Sequence, residues 1–467
     1  MTSNGTSLPL LTHWVDGRPS TAVPERVGDV FDPSTGRVVR QVAFASPGDV
    51  DDAVDVARRA FAAWGTTSLA TRMKVLFRFR ELLARGAEEL ASLITAEHGK
   101  VAPDALGEVH RGLEAVEFAC GVPGLLRGGF SEGVSSGTDV HSVRQPLGVV
   151  AVISPFNFPA MVPCWFFPLA VATGNTVILK PSEKDPSAAN WIAERWAEAG
   201  LPDGVFNVVH GDRVAVDRLL GHPDVKAVSF VGSTPVARHV YETATSSGKR
   251  VQALGGAKNH MVVLPDADLH HAARSAVNAG FGSAGERCMA ISVLVAVGSI
   301  ADRLVAAVAD RIGDLTVGDG RDRPFHGDQG GFWLGPTLFD HVTPEMALYT
   351  DEIFGPVLSV VRVPSLDEAL ALVNANPYGN GAAIFTADGG AARRFQQEVE
   401  VGMVGINVPI PVPVAYYSFG GWKSSLFGDT HAHGTEGVHF FTRGKVVTSQ
   451  WPEGGGGRAD LAFPRNQ

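Results

Sequence analysis

The stretch that decides the fold is residues 148–183, GVVAVISPFNFPAMVPCWFFPLAVATGNTVILKPSE. Two short runs rich in β-branched residues, 149–153 and 176–179, flank a longer apolar segment, 160–172. The short runs predict buried strands and the longer segment predicts a helix, because strands and helices differ in typical length. A strand, a helix and a strand in this order predict two parallel strands joined by a crossover helix.

The same alternation continues downstream. Asp185 and Pro186 are typical of a helix N-cap, and Gly200 is typical of a helix stop. This pattern predicts an α/β fold in which helices cover both faces of a parallel sheet. Ligands of such sheets bind beyond the carboxyl ends of the strands, so the residues that follow the strands are the first candidates for a site. Further strands are predicted at 205–209, 227–231 and 261–264, and further helices at 185–199, 213–220 and 235–244.

The regions on either side predict additional units. Residues 46–49, SPGD, are typical of a helix start with a capping box. After residue 256 the pattern is again mixed α/β, which predicts a second domain. The extended segments 138–150 and 445–450 are predicted to pair as an exposed β arm. The other predicted elements are a hairpin turn at 32–36 and helices at 70–94, 103–120, 268–279 and 300–311.

Composition excludes several classes of protein. The chain has 467 residues, of which 45% are hydrophobic, and this length predicts two large domains. A net charge of −10 without a run of like charges argues against nucleic acid as a partner. The longest apolar stretch is too short to cross a membrane, and the polar N-terminus lacks a secretory signal. Three scattered cysteines predict no disulfide framework and no metal site, so a cytoplasmic protein is expected.

Cys288 is the first candidate for a chemical role. It follows the segment GSAGER at 282–287, which leaves room for a substrate and places the cation of Arg287 beside the thiol. A reactive cysteine needs both an approach and a neighbour that favours the thiolate. A buried structural cysteine is the alternative, and it describes Cys120 and Cys164 better.

Polar residues follow three of the predicted strands. The amide of Asn157 either donates to a developing oxyanion or caps the following helix. Lys180 and Glu183 follow the next strand, where a nucleotide ribose lies in such folds, unless they are ordinary surface charges. Gly232 and Ser233 open a helix whose N-terminus suits a pyrophosphate, although no GxGxxG motif accompanies them.

Six motifs in this order resemble those of the aldehyde dehydrogenase superfamily: PFNFP at 155–159, KPSE at 180–183, FVGST at 230–234, LGG at 254–256, Cys288, and EIFGP at 352–356. The resemblance implies a Rossmann-like NAD-binding domain with a parallel sheet at 1–130 and 148–256, and an α/β catalytic domain at 257–435. It also implies a β oligomerisation arm and tail at 131–147 and 436–467, in a homodimer or homotetramer.

The resemblance assigns roles to single residues. Cys288 is the implied nucleophile and Asn157 the implied oxyanion donor. Glu183 would repel a 2′-phosphate, which favours NAD over NADP. The implied contacts with NAD come from Pro155, Phe156, Lys180 and Glu183, from Gly232 and Ser233 at the pyrophosphate, and from Glu352 and Phe354 at the nicotinamide ribose.

The acyl acceptor is suggested by a missing residue. Most family members carry a glutamate just before the Gly-Gly turn, where it activates water, but residues 251–254 read VQAL. Water without a base is a poor acceptor, whereas the thiol of coenzyme A needs less help. The strings GAKNH at 256–260, GERCMA at 285–290 and GWKSS at 421–425 are similar to those of CoA-acylating methylmalonate-semialdehyde dehydrogenases.

Two arginines of that branch receive a substrate carboxylate, and they match Arg111 and Arg287. The arginine fork binds a carboxylate bidentately. The alternatives are a solvated helix charge for Arg111 and an electrostatic neighbour of the thiolate for Arg287. The expected reaction is NAD-dependent, CoA-acylating oxidation of methylmalonate or malonate semialdehyde through a Cys288 thioester, with decarboxylation to propionyl-CoA or acetyl-CoA.

One segment departs from the family pattern. Only residues 321–331 bridge a gap in which the family carries a helix and a strand. This departure keeps a non-catalytic paralogue as an alternative, beside a hydrolysing NAD-dependent aldehyde dehydrogenase of another substrate. His431 and His433 lie in a polar loop, where two histidines more often bind no metal.

Overall fold

The computed structural model describes residues 8–321 and 330–451. These residues form two sheets dominated by parallel strands, together with a separate three-stranded arm. Within these two ranges, no helix is long and apolar enough to span a membrane. The tail at 452–467 and most of the bridge at 321–331 lie outside the described residues.

The first sheet has eight strands, and its five central strands are parallel. Every residue of strand Val149–Ile153 and of helix Met161–Ala172 is buried, because helices cover both faces. The predicted parallel sheet is therefore confirmed. In spatial order its strands are Leu426–Phe427, Arg250–Leu254, Val225–Val231, Val149–Ile153, Thr176–Lys180, Phe206–Val208, Trp14–Val15 and Arg18–Pro19.

The second sheet has six strands, all parallel to their neighbours. It confirms the second α/β unit, while the domain boundaries at 256 and 435 stay predictions. In spatial order its strands are Thr337–Phe339, Val357–Val363, Ile291–Val297, Asn259–Val263, Gly381–Phe385 and Met403–Ile406.

The predicted arm is confirmed as an antiparallel pairing between Thr138–Pro146 and Thr442–Gln450, in which Thr138 lies opposite Gln450. Its first strand ends at Pro146, because residues 149–150 enter the first sheet instead. The predicted hairpin around 32–36 joins Arg26–Asp32 to Arg37–Phe44. The remaining strands are Phe130–Ser135 in the arm, Leu10–Leu11 beside the hairpin, and the pair Tyr378–Gly379 and Trp422–Lys423.

Most predicted helices are present, and Ser46 with Asp49 forms the expected capping box. The prediction of one helix over 70–94 is wrong, since the chain breaks at Gly86, where a side chain would clash with Trp191. The α-helices are Pro47–Trp64, Leu69–Arg85, Ala87–His98, Ala102–Cys120, Val122–Leu125, Met161–Ala172, Ser187–Glu198, Arg213–Gly221, Thr234–Ser246, Leu269–Phe281, Ala301–Gly313, Ala347–Thr350, Leu366–Ala375, Gly389–Glu398 and Gly434–Phe440, with 3₁₀ turns at Gly282–Gly285 and Gly298–Ile300.

The predicted cap at Asp185 is also wrong. The helix begins at Ser187, and its first N–H donates to Glu97 at 3.0 Å rather than to Asp185. The Asp185 carboxyl group is buried without a hydrogen-bond partner in the described part of the chain. Burial, reinforced by Glu97, raises its pKa well above the usual range. Asp185 is therefore a buried acid of the core instead of a helix cap, and its burial favours the protonated form.

The two sheets meet end to end. Strand Arg250–Leu254 finishes at the carboxyl edge of the first sheet, and strand Asn259–Val263 starts the amino edge of the second sheet after a four-residue turn. Cys288 comes shortly before strand Ile291–Val297, at the same amino edge. Residues at the carboxyl ends of the first sheet's strands therefore face residues at the amino ends of the second sheet's strands.

Asn175 is a buried junction between the first sheet and the arm. Its Oδ1 accepts from the N–H groups of Leu147 and Gly148 at 2.7 and 3.1 Å. Its Nδ2 donates to the carbonyl of Phe441 at 2.9 Å. The side chain thus joins the end of the first arm strand and the start of the second arm strand to the turn that precedes strand Thr176–Lys180.

We expect Asn175→Ala to lower the free energy of unfolding by about 2–4 kcal/mol, since each buried group left unpaired costs about 1–3 kcal/mol. Denaturant unfolding of the two proteins measures the difference. Asn374→Ala is the matched control, because Asn374 also bridges two backbone groups but does so in exposed hydrogen bonds. Equal losses in both variants would contradict the prediction.

Candidate active site

Cys288 lies in the loop between the Gly282–Gly285 turn and strand Ile291–Val297. Its carbonyl oxygen accepts hydrogen bonds from the side-chain amides of Asn259 and Asn380, at 2.9 and 3.0 Å. Both asparagines are buried, Asn259 at the start of the strand beside that of Cys288 and Asn380 just before the next strand of the sheet. Sequence reasoning missed them, although both lie at strand starts on the same edge of the sheet, and together they fix the backbone of Cys288.

Cys288 contributes to the walls of two cavities. The smaller one, of about 20 Å³, is also lined by Ala257, Glu352 and Phe354. The larger one, of about 200 Å³, is also lined by Arg111 and by residues of the first sheet's helices. The thiol therefore stands between two compartments of different chemistry.

The larger cavity has a charged end and apolar walls. Asp104, Glu108 and Arg111 line it from one face of helix Ala102–Cys120, because their spacing follows the helical repeat. Arg287 joins them from the cysteine loop. The apolar walls are Phe158, Met161, Trp165, Met289, Ile410, Val412 and Phe419.

The structure brings the two predicted arginines to this cavity, and each already has a partner. Arg287 Nη2 donates to Asp104 Oδ1 at 2.7 Å. Arg111 Nη1 donates to Glu114 Oε2, and its Nη2 donates to the carbonyl of Pro413, both at 2.7 Å. Arg111 is not the fully solvated charge that was its alternative, because its side chain is half-buried.

Arg287 acts on the Cys288 thiol in the expected direction, but burial and Glu352 outweigh it. Burial raises the pKa of the thiol to about 12, and the carboxylate of Glu352 raises it further. Arg287 opposes this shift only weakly, since its guanidinium is bound to Asp104. The thiol is therefore protonated at neutral pH.

Asn157 lies beside the cysteine loop. Its Nδ2 donates to the carbonyl of Glu286, two residues before Cys288, at 2.9 Å. Its own carbonyl accepts from the buried ammonium group of Lys100 at 2.6 Å. Asn157 does not cap the helix that starts at Met161, so the alternative considered for it does not hold. One hydrogen of its amide stays available for a second acceptor.

The residues predicted to bind the nucleotide lie at the carboxyl edge of the first sheet. Lys180 ends strand Thr176–Lys180, and its Nζ lies 3.1 Å from Oε2 of the half-exposed Glu183. Ser233 stands at the N-cap of helix Thr234–Ser246 without a hydrogen bond from its side chain to the helix. Gly232 precedes it and donates its N–H to the carbonyl of Leu254. This helix start therefore keeps a hydroxyl group and backbone N–H groups for a ligand.

Glu352 and Phe354 also lie at the carboxyl edge of the first sheet. Glu352 Oε1 accepts from the N–H of Ala257 at 2.9 Å, and a side chain at position 256 would clash with the carboxylate. Phe354 adopts a φ of +53° and contacts Phe156 edge to face, with centroids 5.9 Å apart. Pro155 and Phe156 are half-buried at the end of strand Val149–Ile153.

The acidic residues that line the two cavities each have a partner. Glu352 accepts from Ala257, Glu108 is paired with Lys100 at 2.7 Å, and Asp104 is paired with Arg287. These are the only acidic residues among the described residues that line the two cavities. No carboxyl group of this described lining is therefore without an ionic or hydrogen-bond partner.

The histidines of the 431–433 loop are held by local contacts. His431 Nδ1 lies 3.1 Å from the hydroxyl of Ser418. The His433 ring is buried and packs edge to face on Trp165, with centroids 5.6 Å apart. His433 thus packs against Trp165, which is a wall residue of the larger cavity.

Comparison with known proteins places this geometry in a family. The model of the aldehyde dehydrogenase family matches residues 20–327 and 320–447. A malonate-semialdehyde dehydrogenase of Pseudomonas aeruginosa is 52% identical over 493 aligned residues, which cover 97% of this chain and 99% of that protein. The malonate-semialdehyde dehydrogenase of Halalkalibacterium halodurans is 47% identical, covering 94% of this chain and 96% of that protein.

Two solved structures are similar over nearly the whole chain. The methylmalonate-semialdehyde dehydrogenase of Oceanimonas doudoroffii superposes with a TM-score of 0.93 at 50% identity, covering 96% of this chain and 99% of that one. A candidate methylmalonate-semialdehyde dehydrogenase of Sinorhizobium meliloti, solved with NAD, superposes with a TM-score of 0.94 at 48% identity and the same coverage. The resemblance predicted from six motifs is confirmed, and the chain belongs to the aldehyde dehydrogenase family.

Proposed function

We propose that this enzyme oxidises malonate semialdehyde or methylmalonate semialdehyde with NAD and coenzyme A, and forms acetyl-CoA or propionyl-CoA and CO₂. The observation that carries the proposal is the position of Cys288 between two cavities. The larger cavity offers cations for a substrate carboxylate, and the smaller one is lined by Glu352 and Phe354, which are expected to contact NAD. The names of the similar proteins support the same substrates.

The substrate carboxylate is assigned to Arg111 and Arg287. Malonate semialdehyde is short, so a carboxylate held by these cations leaves its aldehyde carbon near Cys288 in the same cavity. The apolar side chains of Trp165, Ile410 and Phe419 exclude water from the rest of the pocket. Exclusion of water strengthens charge pairing because it lowers the local dielectric constant.

The chemistry begins at Cys288. Its Sγ adds to the aldehyde carbon while its proton passes to solvent, and Asn157 Nδ2 and the Cys288 N–H stabilise the oxyanion. After loss of the hydride, the acyl group stays on Cys288 as a thioester. The bond between Cα and the carboxylate then breaks, its electron pair enters the thioester carbonyl, CO₂ leaves, and water returns a proton to Cα.

NAD fits the residues at the edge of the first sheet. The free hydroxyl of Ser233 and the N–H groups at the start of its helix suit a pyrophosphate. Lys180 and Glu183 suit ribose hydroxyls, and Glu352 stands where a second ribose would approach the smaller cavity. When bound, NAD supplies the acceptor for the hydride.

Coenzyme A is proposed as the acyl acceptor because, among the described residues that line the two cavities, no carboxyl group is without a partner and so free to activate water. Its thiol attacks the thioester carbon, the Cys288 sulfur leaves, and the acyl group is transferred.

A homodimer or homotetramer is proposed on the basis of the arm, whose exposed Phe130 and Val446 are typical of a surface covered in an assembly.

NADH formation from malonate semialdehyde is expected to require coenzyme A beyond the first turnover, because no described carboxylate at the site is free to activate water. A spectrophotometric assay with and without coenzyme A measures this. Cys288→Ala is the control and is expected to form no NADH. Equal sustained rates without coenzyme A would favour a hydrolysing enzyme, and no turnover by folded, NAD-binding protein would favour a non-catalytic paralogue.

Arg111→Gln is expected to raise the KM for malonate semialdehyde roughly 10- to 100-fold, since a hydrogen bond to a charged group contributes about 1.5–3 kcal/mol. The KM for propanal, which has the same chain length without a carboxylate, should stay unchanged. Arg80→Gln serves as the control, because Arg80 pairs with Glu117 on the protein surface. A similar rise for both aldehydes would contradict the assigned role of Arg111.

Alkylation of Cys288 by iodoacetamide, in protein without ligands, is expected to accelerate about tenfold per pH unit from pH 7 to 9. A thiol with a pKa of about 12 gains thiolate in proportion to hydroxide over this whole range. Peptide mapping separates Cys288 from Cys120, the other half-buried cysteine. A rate that levels off near pH 8 would show that the thiol is already activated.

A further inference from the structure

We propose that Asp104 is a fixed counter-ion of Arg287 that limits how tightly the pocket holds the substrate carboxylate, and so allows this carboxylate to leave as CO₂. The inference rests on the proposed function, because it concerns the decarboxylation of the thioester. Its central test is independent of NAD, coenzyme A and turnover.

The carboxylate of Asp104 belongs to the substrate compartment itself. It lines the same cavity as Cys288, Arg111 and Arg287. Its Oδ1 accepts from Arg287 Nη2 at 2.7 Å, while its Oδ2 is buried without a partner among the described residues. A negative charge is thus fixed at the end of the pocket where the substrate's own negative charge would bind.

The other acidic partner at this end is in a different situation. Glu114 pairs with Arg111 at the same distance of 2.7 Å, but its side chain is 42% exposed against 20% for Asp104. Water screens the charge of Glu114 more strongly. Arg111 and Arg287 give this end of the pocket a charge of +2, because water screens the charge of Glu114. Asp104 lowers this charge to +1, which matches a substrate with one carboxylate.

This charge matters for the chemistry. When CO₂ leaves, the negative charge moves away from the arginines and onto the thioester carbonyl. Contacts that hold the carboxylate more tightly than this transition state lower the energy of the ground state and slow the step. Asp104 weakens the hold of Arg287 and therefore favours loss of CO₂.

Asp104→Asn removes the charge while keeping the local structure. The asparagine keeps an oxygen that can accept from Arg287 Nη2. The guanidinium also packs closely on Gly282, which leaves it a second contact besides residue 104. Asp104 does not cap its helix through a side-chain hydrogen bond, so the substitution leaves the helix start intact.

The test compares alkylation of Cys288 by iodoacetate, which is anionic, with alkylation by iodoacetamide, which is neutral. The ratio of the two rates measures attraction of an anion into the pocket and cancels changes in thiol reactivity. We expect Asp104→Asn to raise this ratio about tenfold, because an unscreened charge at hydrogen-bond distance is removed. The matched control, Glu114→Gln, should change it less than about twofold, since its charge is screened.

Turnover then tests the consequence. Asp104→Asn is expected to lower both the KM for malonate semialdehyde and the kcat of its CoA-dependent oxidation, with no change in the KM for propanal. A lower or unchanged alkylation ratio would overturn the counter-ion role, and so would an equal effect of Glu114→Gln. A raised ratio in a protein that hydrolyses its thioester would refute the proposed function and keep the charge assignment of Asp104.

Discussion

The buried ion pair between Lys100 and Glu108 is the contact on which the rest of the site depends. Both side chains are fully buried, at a distance of 2.7 Å. Lys100 also donates to the carbonyl of Asn157, and Glu108 accepts from the N–H groups of Ala160 and Met161. One ion pair thereby ties the loop after the first parallel strand to the helix that carries the charged residues of the substrate cavity. Removing either partner would leave a buried charge without compensation, which costs several kcal/mol.

The two sheets contribute different groups to the site. The first sheet presents its carboxyl edge, with Lys180 and a helix N-terminus for a nucleotide. The second sheet presents its amino edge, where Asn259 and Asn380 hold the Cys288 carbonyl. Cys288, the proposed nucleophile, thus belongs to one sheet, while the groups proposed to bind the nucleotide belong to the other. Contacts such as Glu352 with Ala257 fix the distance between the two edges.

Much of this arrangement was predictable from the sequence, because strand–helix alternation and strand ends are local signals. Parallel strands and the paired arm follow from such signals, whereas the convergence of Asn157 with the cysteine loop was implied only by the family resemblance. The partners of charged groups were not predictable, because they depend on side-chain contacts between distant segments. The ion pair of Arg287 with Asp104, 183 residues earlier, is such a partner, and it leaves Arg287 only a weak effect on the thiol. Asp185 was read as a cap for a similar reason, since its local pattern does not reveal that Glu97 already binds Ser187.

The pairing of the acidic residues that line the two cavities has a chemical consequence for the proposed reaction. A thioester that carries a β-carboxylate has two fates in the pocket, attack by water and loss of CO₂. A free carboxylate beside the thioester would activate water and release malonate before the carbon–carbon bond could break. With Glu352 bound to a backbone N–H, and Glu108 and Asp104 bound to cations, the described lining offers water no carboxyl group without a partner, while the path to CO₂ needs no base. In the proposed reaction, this pairing of the acids and the cations for a substrate carboxylate therefore favour the same outcome, loss of CO₂ over hydrolysis.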